Sequence, residues 1–125
     1  AMIKKGNVYY CKKENMPQYG AYSTSKDRPV LVISQKVGNF YQVVPLTTRY
    51  NRSHNDGIMT VVNDCPAVIL TEQIMSVTDK TLDKYLDTID EITMKKVEKA
   101  ILNNFNIQSE EKAENRILKE LIKKI

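Results

Sequence analysis

The sequence predicts a mainly β domain, a small antiparallel barrel or strongly bent sheet with helices near its C-terminus, and three observations predict it. Short runs rich in β-formers fill the first two thirds of the chain, turn-forming clusters separate them at short intervals, and helical periodicity begins only after residue 90. Five or six short strands with such punctuation favour a closed or curled sheet over an open one.

The first strand is expected at Asn7 to Lys12 (NVYYCK), a β-branched and aromatic run. A breaker segment, Pro17 to Lys26, separates it from Arg28 to Ser34, where an arginine and a proline precede an almost unbroken apolar stretch. Proline cannot donate to a ladder, so Pro29 marks the first residue of that strand and holds Arg28 at the rim where loop meets sheet. Phe40 to Thr48 (FYQVVPLTT) follows the turn Val37-Gly38-Asn39. The polar segment Tyr50 to Gly57 precedes a fourth run, Ile58 to Val62, and the turn Asn63-Asp64-Cys65-Pro66 precedes a fifth, Ala67 to Leu70.

Met94, Val97, Ile101 and Phe105 recur at i, i+3, i+7 and i+11, which predicts a helix lying on the sheet with Asp90 as its N-cap. A second helix is expected from Ser109 to Ile125. Glu110 and Glu111 fall in its first turn and Lys123 and Lys124 in its last, matching the helix dipole. Its Ala113, Ile117, Leu118, Leu121, Ile122 and Ile125 form one apolar stripe that needs a cover, either the chain's own barrel or a partner.

At 125 residues, 42% of them hydrophobic, the chain suits one domain with a single core. Residues 1–108 are read as the barrel with its packed helix, and residues 109–125 as a helical extension of the same domain. No apolar run is long enough to span a bilayer or to act as a secretory signal, so no membrane partner and a cytoplasmic location are expected. Cys11 and Cys65 are far apart and outside any C-x-x-C pair, and His54 is the sole histidine. Neither a disulfide framework nor a metal site is therefore expected, and no cofactor is implied.

Charge is divided unevenly. Residues 1 to 55 carry nine Lys or Arg against Glu14 and Asp27, whereas residues 56 to 125 carry ten against thirteen acids. A basic half suits a polyanionic partner, because clustered cations release counterions from nucleic acid.

Arginine on a rigid strand end makes an anion clamp, since its planar fork fits phosphate and stays charged at any working pH. Thr47 and Thr48 end another strand with two hydroxyls, and Thr71, Glu72 and Gln73 end a third with a hydroxyl, a carboxylate and an amide. Between strands, Arg49 and Arg52 interleave with Tyr50 and His54, the mixture of phosphate contacts and stacking faces that single-stranded RNA favours.

These segments taken together resemble the MazF/PemK family of bacterial toxin endoribonucleases. The likeness is carried by RPVLVIS at Arg28 to Ser34, VVPLTT at Val43 to Thr48 and VILTEQIMSVTDKTL at Val68 to Leu82, in the family's order. IKKGNVYYC at Ile3 to Cys11 is similar to its first strand. The resemblance spans Ile3 to Ile107 and implies an SH3-like barrel, a homodimer that cuts single-stranded RNA at short sequences, and a cognate antitoxin that masks the RNA groove.

Residue by residue, it implies that Arg28 is the catalytic arginine and Thr47 the catalytic hydroxyl. Glu72 falls where some members carry an aspartate proposed as general base. RNA contacts are expected from Thr48, Arg49, Tyr50, Arg52, His54 and Gln73, and from Tyr22 and Lys26 in the first loop. Arginine is a poor base at neutral pH, so Arg28 is read chiefly as stabiliser of the pentavalent phosphate, with a second role open to it as acid toward the leaving oxygen, and Thr47 as donor of a hydrogen bond. The base is Glu72, if partial burial makes it basic enough, or His54, if its loop folds over the substrate.

The first loop, Gly20 to Asp27, lacks the family's usual G-x-E-Q-x-G pattern. Leu70 stands where some members have a second arginine, and the second helix runs past the usual family end. The rival function on the same scaffold is a non-catalytic toxin that binds a protein target such as DNA gyrase.

Overall fold

A computed structural model describes residues 2–12, 28–48, 57–105 and 110–123, with side chains of 110–115 excepted. Seven strands and two helices occur among them: β1 (Asn7–Cys11), β2 (Arg28–Val32), β3 (Tyr41–Thr47), β4 (Ile58–Val62), β5 (Cys65–Ile69), β6 (Met75–Val77), β7 (Lys84–Thr88), α1 (Glu91–Asn104) and α2 (Glu110–Lys123). The strands form one curled antiparallel sheet, a half-barrel of order β4-β5-β3-β2-β1-β7 with β6 pairing β3. A side chain draws its two ends together: Asp87 on β7 accepts from the backbone N–H of Asn63, at the β4–β5 turn, at 2.9 Å.

Pro45 and Pro66 lie inside strands where their missing N–H costs nothing. β3 pairs β6 through Tyr41–Val43 and β5 through Leu46–Thr47, and Pro45 falls in the gap between these neighbours. Its carbonyl accepts from Leu70 N at 2.9 Å on that side, so its nitrogen also faces the gap, and no ladder bond is lost. Pro66 lies within β5, contrary to the sequence reading, which counted it as turn. The β4–β5 turn is only Asn63-Asp64, both at positive φ (49° and 65°) as a two-residue hairpin requires. Val62 and Cys65 therefore exchange hydrogen bonds, and the next pair, Val61 and Pro66, does not need the missing donor.

Apolar residues divide between the two faces of the sheet. Val8, Leu31, Val44, Leu46, Val62, Ala67 and Ile69 form one cluster with Met94 and Val97 of α1. Tyr9, Cys11, Val30, Val32, Tyr41, Val43, Val77 and Leu82 form the other. Alternation along β1, β2 and β3 produces this split, since successive side chains point to opposite faces.

Asp90 caps α1 as expected, its carboxylate accepting from Thr93 N at 3.1 Å, and hydrogen bonds from the Thr93 side chain first and its backbone N–H second hold the carboxyl below its ordinary range. Gly6, at φ +97°, accepts from Ile89 N (2.9 Å) and donates to Val32 O (2.8 Å), tying the α1 entry to β1 and β2 through a backbone conformation that side chains disfavour. Phe105 departs from the expected stripe. Met94 and Val97 are buried and Ile101 half-buried, but Leu102 to Phe105 are all exposed, because the last turn of α1 runs clear of the sheet.

Candidate active site

Strand register brings the predicted arginine and threonine together. Arg28 opens β2 opposite Cys11 of β1. The β2–β3 ladder pairs Val32 with Val43, Leu31 with Val44 and Val30 with Pro45, and the same register carried on two residues sets Arg28 opposite Thr47. Thr47 in turn pairs with Val68 of β5, and Val68 with Met59 of β4. Residues directly opposite one another share a face, with Cβ atoms about 5 Å apart. Cys11, Arg28, Thr47, Val68 and Met59 thus form one cross-strand row on the face away from α1.

The row is buried at its centre and open at one edge. Cys11 is 0% exposed, Thr47 5% and Val68 2%, while Met59 at the open edge is 58% exposed. Arg28 is half-buried, with its Nε out of solvent. Burial, and next the charge of Asp83, push the Cys11 thiol up to about 12. The sulfur beside the arginine therefore stays protonated at neutral pH and is no nucleophile. Asp83 reaches this neighbourhood because its N–H donates to Tyr10 O at 3.1 Å, next to Cys11.

The segment Thr71 to Ile74 follows β5 and fills the gap beside Pro45, anchored by the Leu70–Pro45 hydrogen bond and by Gln73 N donating to Leu70 O at 3.2 Å. That anchor stands two residues along β3 from Thr47, about 7 Å at the usual strand rise. Glu72 lies on the outside of this loop and is exposed, so the partial burial invoked for a general base is not found there. Gln73 is half-buried, and its Nε2 donates to Glu72 Oε1 at a long 3.5 Å. Thr71 Oγ1 and Gln73 Oε1 are buried with no hydrogen-bond partner among the described residues.

Thr48 is exposed just past Thr47. Tyr22, Lys26, Arg49, Tyr50, Arg52 and His54 lie outside the described residues. Sequence reasoning missed Cys11, Asp83, Val68 and Met59 as neighbours of the site; only register could have found them, because none carries a motif. Among the described residues no group of three His, Cys, Asp or Glu side chains is placed to hold a metal, and no helix is long and apolar enough to cross a membrane. A separate pocket of roughly 370 Å³ lies at the other end of β1. Its lining includes Lys5, Gly6 and Met94, and Lys5 Nζ pairs with Glu98 Oε1 at 2.5 Å.

Residues 4–105 match the family model described as PemK-like, MazF-like toxin of type II toxin-antitoxin system. No curated protein matches the sequence significantly. Among solved structures, MazF from Deinococcus radiodurans superposes with a TM-score of 0.70 at 17% identity, over 86% of this chain and 99% of that one. The Mycobacterium tuberculosis toxin MazF-mt6 gives 0.63 at 15% identity, over 82% and 99%. An endoribonuclease in complex with its cognate antitoxin, from a mycobacterial species, gives 0.64 at 19% identity, over 86% and 96%. At these identities the structural likeness establishes the fold.

Proposed function

The chain belongs to the PemK-like, MazF-like toxin family of type II toxin-antitoxin systems, and from that premise we propose that it is a metal-independent endoribonuclease cutting single-stranded RNA at short sequences. This reading is supported by the β2–β3 register, whose last pair is Val30–Pro45 and which, extended by two residues, sets Arg28 opposite Thr47 on one sheet face. A guanidinium and a hydroxyl about 5 Å apart at Cβ, on strands locked by a packed core, suit a phosphodiester held between them.

In the proposed reaction the RNA supplies its own nucleophile. The 2′-oxygen bonds to the adjacent phosphorus as its proton leaves to a base, the P–O5′ bond breaks, and the O5′ atom takes up a proton. The products are a 2′,3′-cyclic phosphate and a 5′-hydroxyl. Arg28 stabilises the extra negative charge of the pentavalent phosphate and Thr47 donates a hydrogen bond to it. Glu72 and His54 are the side chains proposed for proton removal. Gln73 and Thr48 flank the pair and are proposed RNA contacts.

We further propose a homodimer held inactive by a cognate antitoxin in the cytoplasm. Support comes from the family and from solved neighbours described as complexes of endoribonuclease with antitoxin and of MazE with MazF. The test is incubation of the purified protein with a long single-stranded RNA in EDTA, with the fragment ends characterised. Fragments that accept phosphate at their 5′ ends without prior phosphatase treatment are the expected result. Loss of cutting in chelator, or fragments ending in 5′-phosphate, would overturn the mechanism. Absence of any cutting at high protein excess would favour a toxin that only binds.

A further inference from the structure

β4 stands at the end of the strand order and turns its side chains the unusual way round. An antiparallel strand packed on one face ordinarily presents polar residues to solvent. Here Thr60, the one polar residue of β4, lies on the α1 face with Ile58 and Val62, and Met59 and Val61 point outward, 58% and 56% exposed. On β5, Pro66 stands opposite Val61 and is exposed, and Val68 stands opposite Met59. Met59, Val61 and Pro66 thus make one apolar platform, and Val68 joins it to Thr47. Behind the platform, Val62, Ala67 and Ile69 are buried in the cluster with Met94 and Val97 of α1, so the hairpin is anchored through its other face.

We propose that this platform takes the face of an unpaired RNA base, in a nucleotide flanking the bond that is cut; the inference rests on the endoribonuclease reading above. Continuity chooses the occupant. Met59 is two strands from Thr47 on the same face, about 10 Å at the usual strand spacing, so an RNA strand that runs along the row from Arg28 places a flanking base over the hairpin. Size agrees with this. Two half-exposed side chains and a proline present an area near that of one aromatic side chain, roughly 150–250 Å², against about 800 Å² per partner for a stable protein interface. Single-stranded RNA is recognised through bases splayed from the backbone and stacked on side chains, and a thioether makes favourable contacts with aromatic rings. Because no side chain of the platform offers a hydrogen bond, it accepts any base and favours the better stacker, a purine over a pyrimidine.

Binding of a short oligonucleotide that spans a mapped cut tests this, with a 2′-deoxy nucleotide at the cut so that it binds without being cleaved. Met59→Thr combined with Val61→Thr keeps good strand formers at both places and removes the apolar surface. Affinity by fluorescence anisotropy should fall about tenfold, within the range for a lost base contact, while the melting transition stays in place. Met59→Leu alone should bind as wild type does. Abasic nucleotides introduced one at a time should weaken wild-type binding at one flanking position and leave the double variant indifferent there, a coupling that a merely structural role would not produce. Wild-type affinity in the double variant, or equal losses in both proteins at every abasic position, would overturn the platform and leave the endoribonuclease reading standing; a double variant that binds RNA normally but no longer self-associates would give the surface to a second copy instead. A wild-type chain that cuts no RNA would overturn that reading, and this inference with it.

Discussion

Replacing Arg28 with alanine removes a full charge from a site where the reacting phosphate gains one. At about 4 Å and an effective dielectric near 20, the guanidinium–phosphate attraction is roughly 4 kcal/mol. If most of that develops in the transition state, cutting slows by about 10³-fold, the range seen when a single oxyanion donor is removed. Stability should change little, by about 1 kcal/mol or less, because Arg28 is half-buried at a strand end while Val30, Leu31 and Val32 behind it keep the strand in place. Arg28→Lys keeps the charge but loses the fork, so its rate should fall between the two. Single-turnover cleavage of a labelled oligonucleotide, with circular dichroism melting of the same samples, separates the two effects. A rate for Arg28→Ala within about threefold of wild type, in protein that melts normally, would refute the electrostatic role.

Thr47→Val keeps the shape of a buried strand residue and removes only the hydroxyl, so cleavage should fall by about 10–100-fold while the urea midpoint moves by roughly 1 kcal/mol at most. Cys11, buried and raised to about 12, should resist a thiol reagent in the native state while the exposed Cys65 reacts; two native thiols reacting at neutral pH would contradict its burial. Because that raised value favours the protonated form on folding, Cys11 contributes stability that is full below the ordinary thiol value of 9.0 and is lost as pH rises toward about 12, so Cys11→Ala should flatten the alkaline fall of the melting temperature. Asp90, held below its ordinary value of 3.8 by Thr93, stabilises above that value and ceases to as pH falls through its lowered one. The melting temperatures of wild type and Asp90→Ala should therefore differ at pH 7 and converge in acid.

Strands β1 to β5 were legible because each is a local apolar or β-branched run bounded by turn residues, and α1 because Asp90 and the Met94–Val97–Ile101 spacing announce it. β6 and β7 were not. Lys84 to Thr88 is charged at two of its five positions, mostly exposed, and a strand only because β1 offers it a ladder from Asn7 to Tyr10. The extra length of β5 at Pro66 and the exposure of Phe105 likewise depended on neighbours, a hairpin turn in one case and the edge of the sheet in the other.

The amino-acid order by itself determined which strand ends carry reactive groups, since arginine before proline, threonine after an apolar run and the TEQ triplet are local facts. Their mutual placement was a tertiary decision. Arg28 and Thr47 are 19 positions apart in sequence and neighbours only because the β2–β3 register sums to their pairing, and a slip of one residue would turn Thr47 to the opposite face. Register follows from which side chains both cores accept, a property of several strands at once. The same reason separates Glu72 from that row: its loop fills the gap beside Pro45, where β3 changes partners from β6 to β5.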